Sequence, residues 1–159
     1  MDNELKLYIV RHGQTEWNVL EKFQGQLNSP LTLEGIKKVK ETAKKLKDIK
    51  FKAGYTSEMG RTVATAEIIL QNNNYEQKKT SDQKLKLQKL SELNEIHFGE
   101  WQGMTFKETF IKFAKEAHNY FYDVKNYNAK NIKGEDLKEG LERFLNGLKK
   151  IREKQKSGN

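Results

Sequence analysis

The sequence contains no cysteine and a single proline, Pro30, among its 159 residues. Without cysteine the chain can form no disulfide framework, no zinc–thiolate site and no cysteine nucleophile, which fits a reducing cytoplasm. It also lacks an apolar run of transmembrane length, and its mean hydropathy is -0.92. The first residues have neither the basic region nor the long apolar stretch of a secretory signal peptide. We therefore expect a cytoplasmic protein with no membrane partner.

Positive charge, by contrast, is in excess: 30 lysines and arginines against 22 acidic residues give a formal net charge of +8. A basic surface can bind nucleic acid or attract anionic ligands. Here the excess is mostly lysine spread along predicted helices, without aromatic residues interleaved among the basic ones. We interpret it as a solvated surface that mildly attracts phosphorylated ligands. A nucleic-acid binder is the weaker alternative, and steep salt dependence of binding would reveal it. We expect no nucleic-acid partner.

The length suits one domain, which we place at residues 1–159. Its apolar patterns alternate between strand-like and helix-like, in the order β-α-β-α-β followed by helices. This order predicts an α/β fold with a mostly parallel sheet between two helical layers. The predicted elements are a buried strand at Leu7-Tyr8-Ile9-Val10, a helix from Thr32 to about Lys47, a strand at 53–56, a helix after Ser57 that buries Val63, Ala66, Ile69 and Leu70, a strand around Leu85 and Leu87, a helix capped by Thr105, and an amphipathic helix at 135–154 with the apolar stripe Leu137, Leu141, Phe144, Leu145, Leu148 and Ile151.

Polar residues follow the first predicted strand directly, as Arg11-His12-Gly13. In open α/β sheets this carboxyl end of a strand is where ligands bind. Arginine offers a planar fork of donors that suits phosphate oxygens, and a neutral imidazole can act as a nucleophile. Gly13 permits the bend that would bring both side chains to one ligand. In isolation, however, a histidine after a strand is more often structural.

The stretch from Leu7 to Asn18 resembles the signature of the histidine phosphatase superfamily, whose fold is that of the phosphoglycerate mutases. That signature is an apolar strand followed by Arg-His-Gly, an acidic or amide residue, Thr and a nearby Asn. Further blocks follow in the family's order: Phe23-Gln24-Gly25, 31–35, 55–66, 93–103 and Gly134-Glu135. Several blocks in order across most of the chain make chance agreement improbable.

The resemblance implies a role for each matching residue. His12 would attack phosphorus, Arg11 and Arg61 would bind the phosphoryl oxygens, and Glu95 would protonate the leaving oxygen. Asn18, Gln24 and Gly25 would line the phosphate and substrate pocket. No metal or other cofactor is implied. Without the resemblance, Arg61 would be interpreted as a surface helix residue and Glu95 as an ordinary loop acid.

The resemblance covers both phosphatases and phosphoglycerate mutases, which share the phosphohistidine and differ in the acceptor. The segment between Glu95 and Gly134 is short for a mutase, so we favour a phosphatase acting on small phosphorylated metabolites, with a mutase as the alternative. The family also has a second active-site histidine, in a Ser-His-Gly-like turn after a late strand. Neither His97 nor His118 precedes a glycine.

We therefore expect a domain that is incomplete at its C-terminal side. This sustains an alternative of another class: a catalytically impaired remnant that still binds phosphorylated ligands. By resemblance, the late strand lies beside the first strand. Without it, the apolar side chains of the first strand lack a partner, and we expect the chain either to associate with copies of itself or to be only marginally folded.

Overall fold

The structure, a computed structural model, describes residues 5–156 and has an α/β fold rich in helices. Loops and short 3-10 turns connect the regular elements. These are α1 (Glu16–Val19), α2 (Leu33–Leu46), β1 (Gly54–Thr56), α3 (Gly60–Gln71), α4 (Asn74–Gln77), β2 (Leu87–Lys89), α5 (Phe106–Lys112), α6 (Ala114–Tyr122) and α7 (Leu137–Lys156). Within the described range, no helix is both long enough and apolar enough to cross a membrane.

Two of the predicted helix starts are confirmed by their capping geometry. Thr32 precedes α2, and its hydroxyl accepts a hydrogen bond from the Gly35 N–H at 2.9 Å. Thr105 precedes α5 and forms a capping box with Glu108, in which each side chain accepts a bond from the other residue's backbone N–H. These caps satisfy N–H groups that the first helical turn leaves without a partner, so the starts follow from local sequence.

The sheet consists of two parallel strands in the part of the chain that the structure describes. Gly54 of β1 lies opposite Leu87 of β2, and the crossover between the strands contains α3 and α4. Beside it, α2 and α3 pack through a small buried cluster of Val39, Ala43 and Ile69. The predicted strand at 53–56 and the helix after it are confirmed, whereas the second strand begins at Leu87 rather than Leu85.

A second, aromatic cluster packs the C-terminal half of the chain. Its centre is Trp101, which is fully buried. The rings around it meet edge-on or tilted, as aromatic pairs prefer. The buried members are Phe23, Phe98, Trp101, Ala117 and Ile132, with Ile96, Phe113, Tyr120 and Tyr127 packed against them. Since Phe23 comes from the N-terminal loops, this cluster joins the two halves of the chain.

The prediction of a buried strand at residues 7–10 is wrong for the described structure. These residues belong to no β-ladder within 5–156, and Ile9 is 79% exposed. A strand is stabilised by hydrogen bonds to a neighbouring strand, and the two-stranded sheet provides none for this segment. The apolar residues Leu7-Tyr8-Ile9-Val10 are therefore exposed, although the Tyr8 ring meets Phe51 edge-on at 5.8 Å and has Nζ of Lys6 over it at 5.7 Å.

The amphipathic helix is confirmed as α7, but the prediction of which face it buries is wrong. Leu141 is 56% exposed, and Phe144 and Leu145 are also exposed. Of the predicted stripe only Ile151 is buried, while Leu137 and Leu148 are half-buried; the other buried positions are Gly140 and Gly147, which were not predicted. Glycine lets the helix backbone approach the loop that precedes residue 97 more closely than a larger residue would, and this contact decides the orientation of the helix.

The inner face of α3 is more polar than the sequence predicts. Arg61, Thr65 and Ile69, spaced four residues apart, are buried. Of the four residues expected inside, only Ile69 is fully buried; Val63, Ala66 and Leu70 are half-buried. Two polar side chains on a buried helical face need partners, because an unpaired polar group inside a protein is costly. Those partners lie in the loops around His12.

Candidate active site

The His12 ring is held in one tautomer by its own loop. Its Nδ1 lies 2.7 Å from the carbonyl oxygen of Gly13. A carbonyl oxygen can only accept, so Nδ1 must carry the proton and donate. In the neutral ring this leaves the lone pair on Nε2. The half-buried imidazole therefore has one nitrogen fixed by the backbone and the other available as a nucleophile or base.

The residue after His12 is anchored by α2 and α3. The Gly13 N–H donates to Thr65 Oγ1 at 3.0 Å, and that hydroxyl donates in turn to the Arg61 carbonyl at 2.8 Å. A Cβ atom at Gly13 would lie 2.7 Å from Cγ2 of Val39, closer than side chains tolerate. Because Thr65 is about one helical turn beyond Arg61, the anchor that fixes Gly13 also brings His12 to the turn that carries Arg61.

The Arg61 guanidinium is 2% exposed and holds the loop 24–28. Its Nη1 donates to the Leu27 carbonyl at 2.7 Å and its Nη2 to the Gly25 carbonyl at 2.8 Å. The backbone N–H of Arg61 donates to Oδ1 of Asn28 at 2.9 Å. Nε is buried and has no hydrogen-bond partner within residues 5–156. Arg61 therefore orders the loop 24–28, and its role in binding an anion stays a prediction.

The same loop reaches the segment that carries Glu95. Gln26 donates from its side-chain amide to the Glu95 carbonyl at 3.1 Å. Its backbone N–H donates to Oε1 of Gln102 at 2.8 Å. Gly25 has a φ of +53°, which favours glycine, and a Cβ there would lie 2.3 Å from that Gln102 oxygen, so a larger residue would also have to displace the Gln102 side chain. The loop thus links Arg61 to the backbone of Glu95.

The charges of Arg11, Arg61 and Glu95 all act on the pKa of His12, so these residues form one electrostatic cluster. Burial lowers the pKa of His12, and the positive charges of Arg61 and Arg11 lower it further. The bond to the Gly13 carbonyl and the negative charge of Glu95 oppose that shift. Burial also lowers the pKa of Arg61, against the influence of Glu95, although a guanidinium remains charged in proteins. A neutral imidazole therefore sits beside two cations and one carboxylate.

The other predicted pocket residues have less direct positions. Asn18 is exposed, and its side-chain oxygen accepts from the N–H and the hydroxyl of Thr15, both at 3.0 Å, at the start of α1. Gln24 is buried, and its Oε1 has no hydrogen-bond partner in the described part of the chain. Gly25 contributes its carbonyl to Arg61. Their role in a pocket stays a prediction.

The sequence predicts no role for Thr65, Gln102 or Arg143. Their hydrogen bonds hold the backbone next to the candidate site residues, at Gly13, Gln26 and Asn94. The four-residue spacing of Arg61 and Thr65 was a visible signal, since it places both on one helical face. Gln102 lies in a glycine-containing block but contacts the loop at Gln26, far away in sequence. Nothing local marks Arg143 as a site residue, because the backbone carbonyls that it binds, those of Glu92 and Asn94, lie about fifty residues earlier in the chain.

We expect His12 to titrate below its ordinary pKa of 6.5, so that the nucleophilic neutral form persists as the pH falls to that lower value. Arg11→Met should raise the pKa of His12, because it removes an exposed positive charge that disfavours the imidazolium. The measurement is the pH dependence of the His12 ring signal by NMR. Arg152→Met, on the exposed surface of α7, is the control and should change nothing. A midpoint at or above 6.5 in the unmutated chain would contradict this account.

Comparison with known proteins identifies the family. A family model described as the histidine phosphatase superfamily (branch 1) matches residues 7–159. The chain is 38% identical over 114 residues to the 2,3-bisphosphoglycerate-dependent phosphoglycerate mutase of Enterococcus faecalis, covering 70% of this chain and 46% of that protein. Its fold is similar to that of Bacillus stearothermophilus YhfR, with a TM-score of 0.80, 28% identity, and coverage of 91% of this chain and 65% of that one.

The alpha-ribazole phosphatase from Shigella flexneri is also similar, with a TM-score of 0.76, 27% identity, and coverage of 92% of this chain and 66% of that one. The chain thus spans less than half of the length of the curated relatives it matches, and about two thirds of these solved structures. The family match nevertheless extends over almost the whole sequence. It confirms the resemblance seen in the motifs, and the chain belongs to branch 1 of the histidine phosphatase superfamily.

Proposed function

We propose that this chain transfers phosphoryl groups through a phosphohistidine at His12, as a phosphatase of small phosphorylated metabolites. The observation that carries the proposal is the Nδ1–Gly13 bond, which leaves Nε2 of a neutral imidazole unprotonated beside the buried Arg61. The similarity to the Shigella flexneri alpha-ribazole phosphatase supports the same reaction class. The proposed substrates are anionic, in keeping with the net charge of +8. A cytoplasmic location, expected from the sequence, stays a prediction.

In the proposed mechanism, Nε2 of His12 attacks phosphorus while the bond from phosphorus to the leaving oxygen breaks. Arg11 and Arg61 stabilise the charge on the equatorial oxygens, the largest contribution that a protein makes to such a transition state. Glu95 acts in its protonated form, gives its proton to the leaving oxygen and is left as a carboxylate. Water then attacks the phosphohistidine, the bond from phosphorus to Nε2 breaks, and the Glu95 carboxylate takes the proton of the water. Inorganic phosphate leaves, and both the neutral ring and the protonated Glu95 are restored.

A phosphoglycerate mutase is the second candidate, supported by the printed function of the Enterococcus faecalis relative. The first half-reaction is the same, and only the acceptor differs: a hydroxyl of a bound substrate replaces water. A chain that only binds phosphorylated ligands would retain the arginine cluster without the covalent step. Trapping the covalent intermediate separates that alternative from both enzymes.

A phosphate ester labelled on phosphorus should transfer an acid-labile phosphoryl group to His12. Rapid quenching followed by peptide mass spectrometry locates the label. His12→Ala should abolish both the label and turnover, because no other imidazole has its lone pair placed beside Arg61. His118→Ala, an exposed histidine of α6, is the control and should keep both. Labelling that survives in His12→Ala would contradict the proposal.

The role proposed for Glu95 predicts a dependence on the leaving group. Glu95→Gln should slow an alkyl phosphate by about a hundredfold or more, since an alkoxide leaves poorly without a proton. Hydrolysis of nitrophenyl phosphate should slow far less, because nitrophenolate leaves without being protonated. Glu100→Gln, a nearby exposed carboxylate, is the matched control. Equal slowing of both esters would remove Glu95 from the role of acid.

We also propose that the 159-residue chain associates with copies of itself. Supporting this are the exposed apolar residues at 7–10 and on α7, since monomers rarely expose large contiguous apolar patches. Size exclusion with light scattering should give a mass above the 18.6 kDa of one chain. Ile9→Lys or Leu141→Lys should lower that mass, whereas Val19→Lys, an exposed apolar residue of α1, should not. A mass of one chain at all concentrations would contradict the proposal.

A further inference from the structure

The loop that carries Glu95 lies against the glycine face of α7. A Cβ atom at Gly147 would lie 2.8 Å from Cβ of Glu92, and one at Gly140 would lie 3.1 Å from Cγ1 of Ile96. The two glycines are seven residues apart, about two helical turns, so they lie on one face of the helix. With no side chain at either position, the helix backbone contacts the loop on both sides of Glu95.

Arg143 projects from the same face, between the two glycines. Its Nη1 donates to the Asn94 carbonyl at 2.8 Å and to the Glu92 carbonyl at 3.0 Å. A longer contact of 3.4 Å joins it to the Ser91 carbonyl. One guanidinium nitrogen thus contacts the backbone carbonyls of three residues that shortly precede Glu95 in the sequence. Such charge-assisted bonds are about twice as strong as those between neutral groups.

Glu135 completes the arrangement from the other side of Glu95. Its carboxylate accepts hydrogen bonds from Nε and Nη2 of Arg143, each at 2.7 Å. The same carboxylate accepts the His97 N–H at 3.2 Å, and the Glu135 N–H donates to the His97 carbonyl at 2.7 Å. The pair is largely shielded, with side-chain exposures of 23% for Arg143 and 16% for Glu135. The ion pair is therefore bonded to the backbone both before and after Glu95.

The Glu95 backbone has a further fixed point on the side of the nucleophile. Its own carbonyl accepts the Gln26 amide, which belongs to the loop that Arg61 holds. The Glu95 carboxylate meanwhile accepts the Ile96 N–H at 2.9 Å. The backbone on either side of Glu95 is thus bonded to the Arg143–Glu135 pair, and the Glu95 carbonyl itself is bonded to the Arg61 loop. Removing Arg143 would take away the bonds to the Glu92 and Asn94 carbonyls and leave the bond from Gln26 in place.

We propose that Arg143 and Glu135 are positioning residues for catalysis, which fix the backbone around Glu95 so that its carboxyl group meets the leaving oxygen. This inference rests on the proposed function, in which Glu95 is the acid. Neither residue needs to touch substrate. A displacement of about 1 Å in a catalytic group can cost on the order of a hundredfold in rate, so a clamp behind the acid has a measurable kinetic effect.

The test compares two esters in four forms of the whole chain: unmutated, Arg143→Met, Glu95→Gln and the double variant. Arg143→Met should slow an alkyl phosphate at least about tenfold and nitrophenyl phosphate much less, because only the poor leaving group needs the acid. In the Glu95→Gln background, Arg143→Met should cause no further loss with the alkyl ester, since residues that act through one another are not additive. Arg152→Met, an exposed arginine of the same helix, is the matched control.

Different outcomes overturn different statements. If Arg143→Met slows both esters equally, or adds fully to Glu95→Gln, the residue is merely structural and this inference is wrong. If Glu95→Gln itself shows no dependence on the leaving group, the acid role fails first. A chain that turns over neither ester contradicts the proposed function and this inference together.

A second variant guards against loss of the fold. Circular dichroism shows whether Arg143→Met keeps its helices. Glu135→Gln preserves the side-chain shape and removes the charge that orients Arg143, so it carries the same kinetic test if Arg143→Met unfolds. The expected pattern is the same: slower turnover of the alkyl ester and little change for nitrophenyl phosphate. Equal slowing of both esters in a folded Glu135→Gln chain would overturn the inference.

Discussion

The candidate site depends on the hydrogen bonds that the buried guanidinium of Arg61 donates to the loop 24–28. A charge inside a protein needs hydrogen-bond partners, and here the loop carbonyls of Leu27 and Gly25 accept one N–H each from Nη1 and Nη2. The same helix fixes Gly13 through Thr65. One short stretch of α3 therefore determines where His12 lies and how the loop 24–28 is shaped. Nε of Arg61 is buried and has no hydrogen-bond partner in the part of the chain that the structure describes.

From that centre a series of polar contacts runs outward to the C-terminal helix. The Arg61 loop binds the Glu95 carbonyl through Gln26, and the flanking backbone is bound by Arg143 of α7 and by Glu135, which precedes that helix. His12 and Glu95, the proposed nucleophile and acid, thus share a scaffold although they are more than eighty residues apart in sequence. This arrangement is consistent with a site in which positioning matters as much as the identity of the groups.

What the sequence could predict was decided largely by the range of the interaction involved. The starts of α2 and α5 depend on the caps Thr32 and Thr105, which act within four residues, and both were predicted. The motifs located the cluster around His12 because they encode family membership. Residues 7–10 and the buried face of α7 could not be predicted, because each depends on what packs against it. An apolar pattern specifies a preference for burial without specifying a partner.

The most direct test of this account is the binding of vanadate, which mimics a phosphoryl group in transfer, by isothermal titration calorimetry. We expect one vanadate per chain and a loss of at least about tenfold in affinity in Arg61→Met, equivalent to about 1.4 kcal/mol. Arg152→Met should bind as the unmutated chain does. Equal affinity in Arg61→Met and the unmutated chain would contradict the claim that the buried guanidinium organises the anion site.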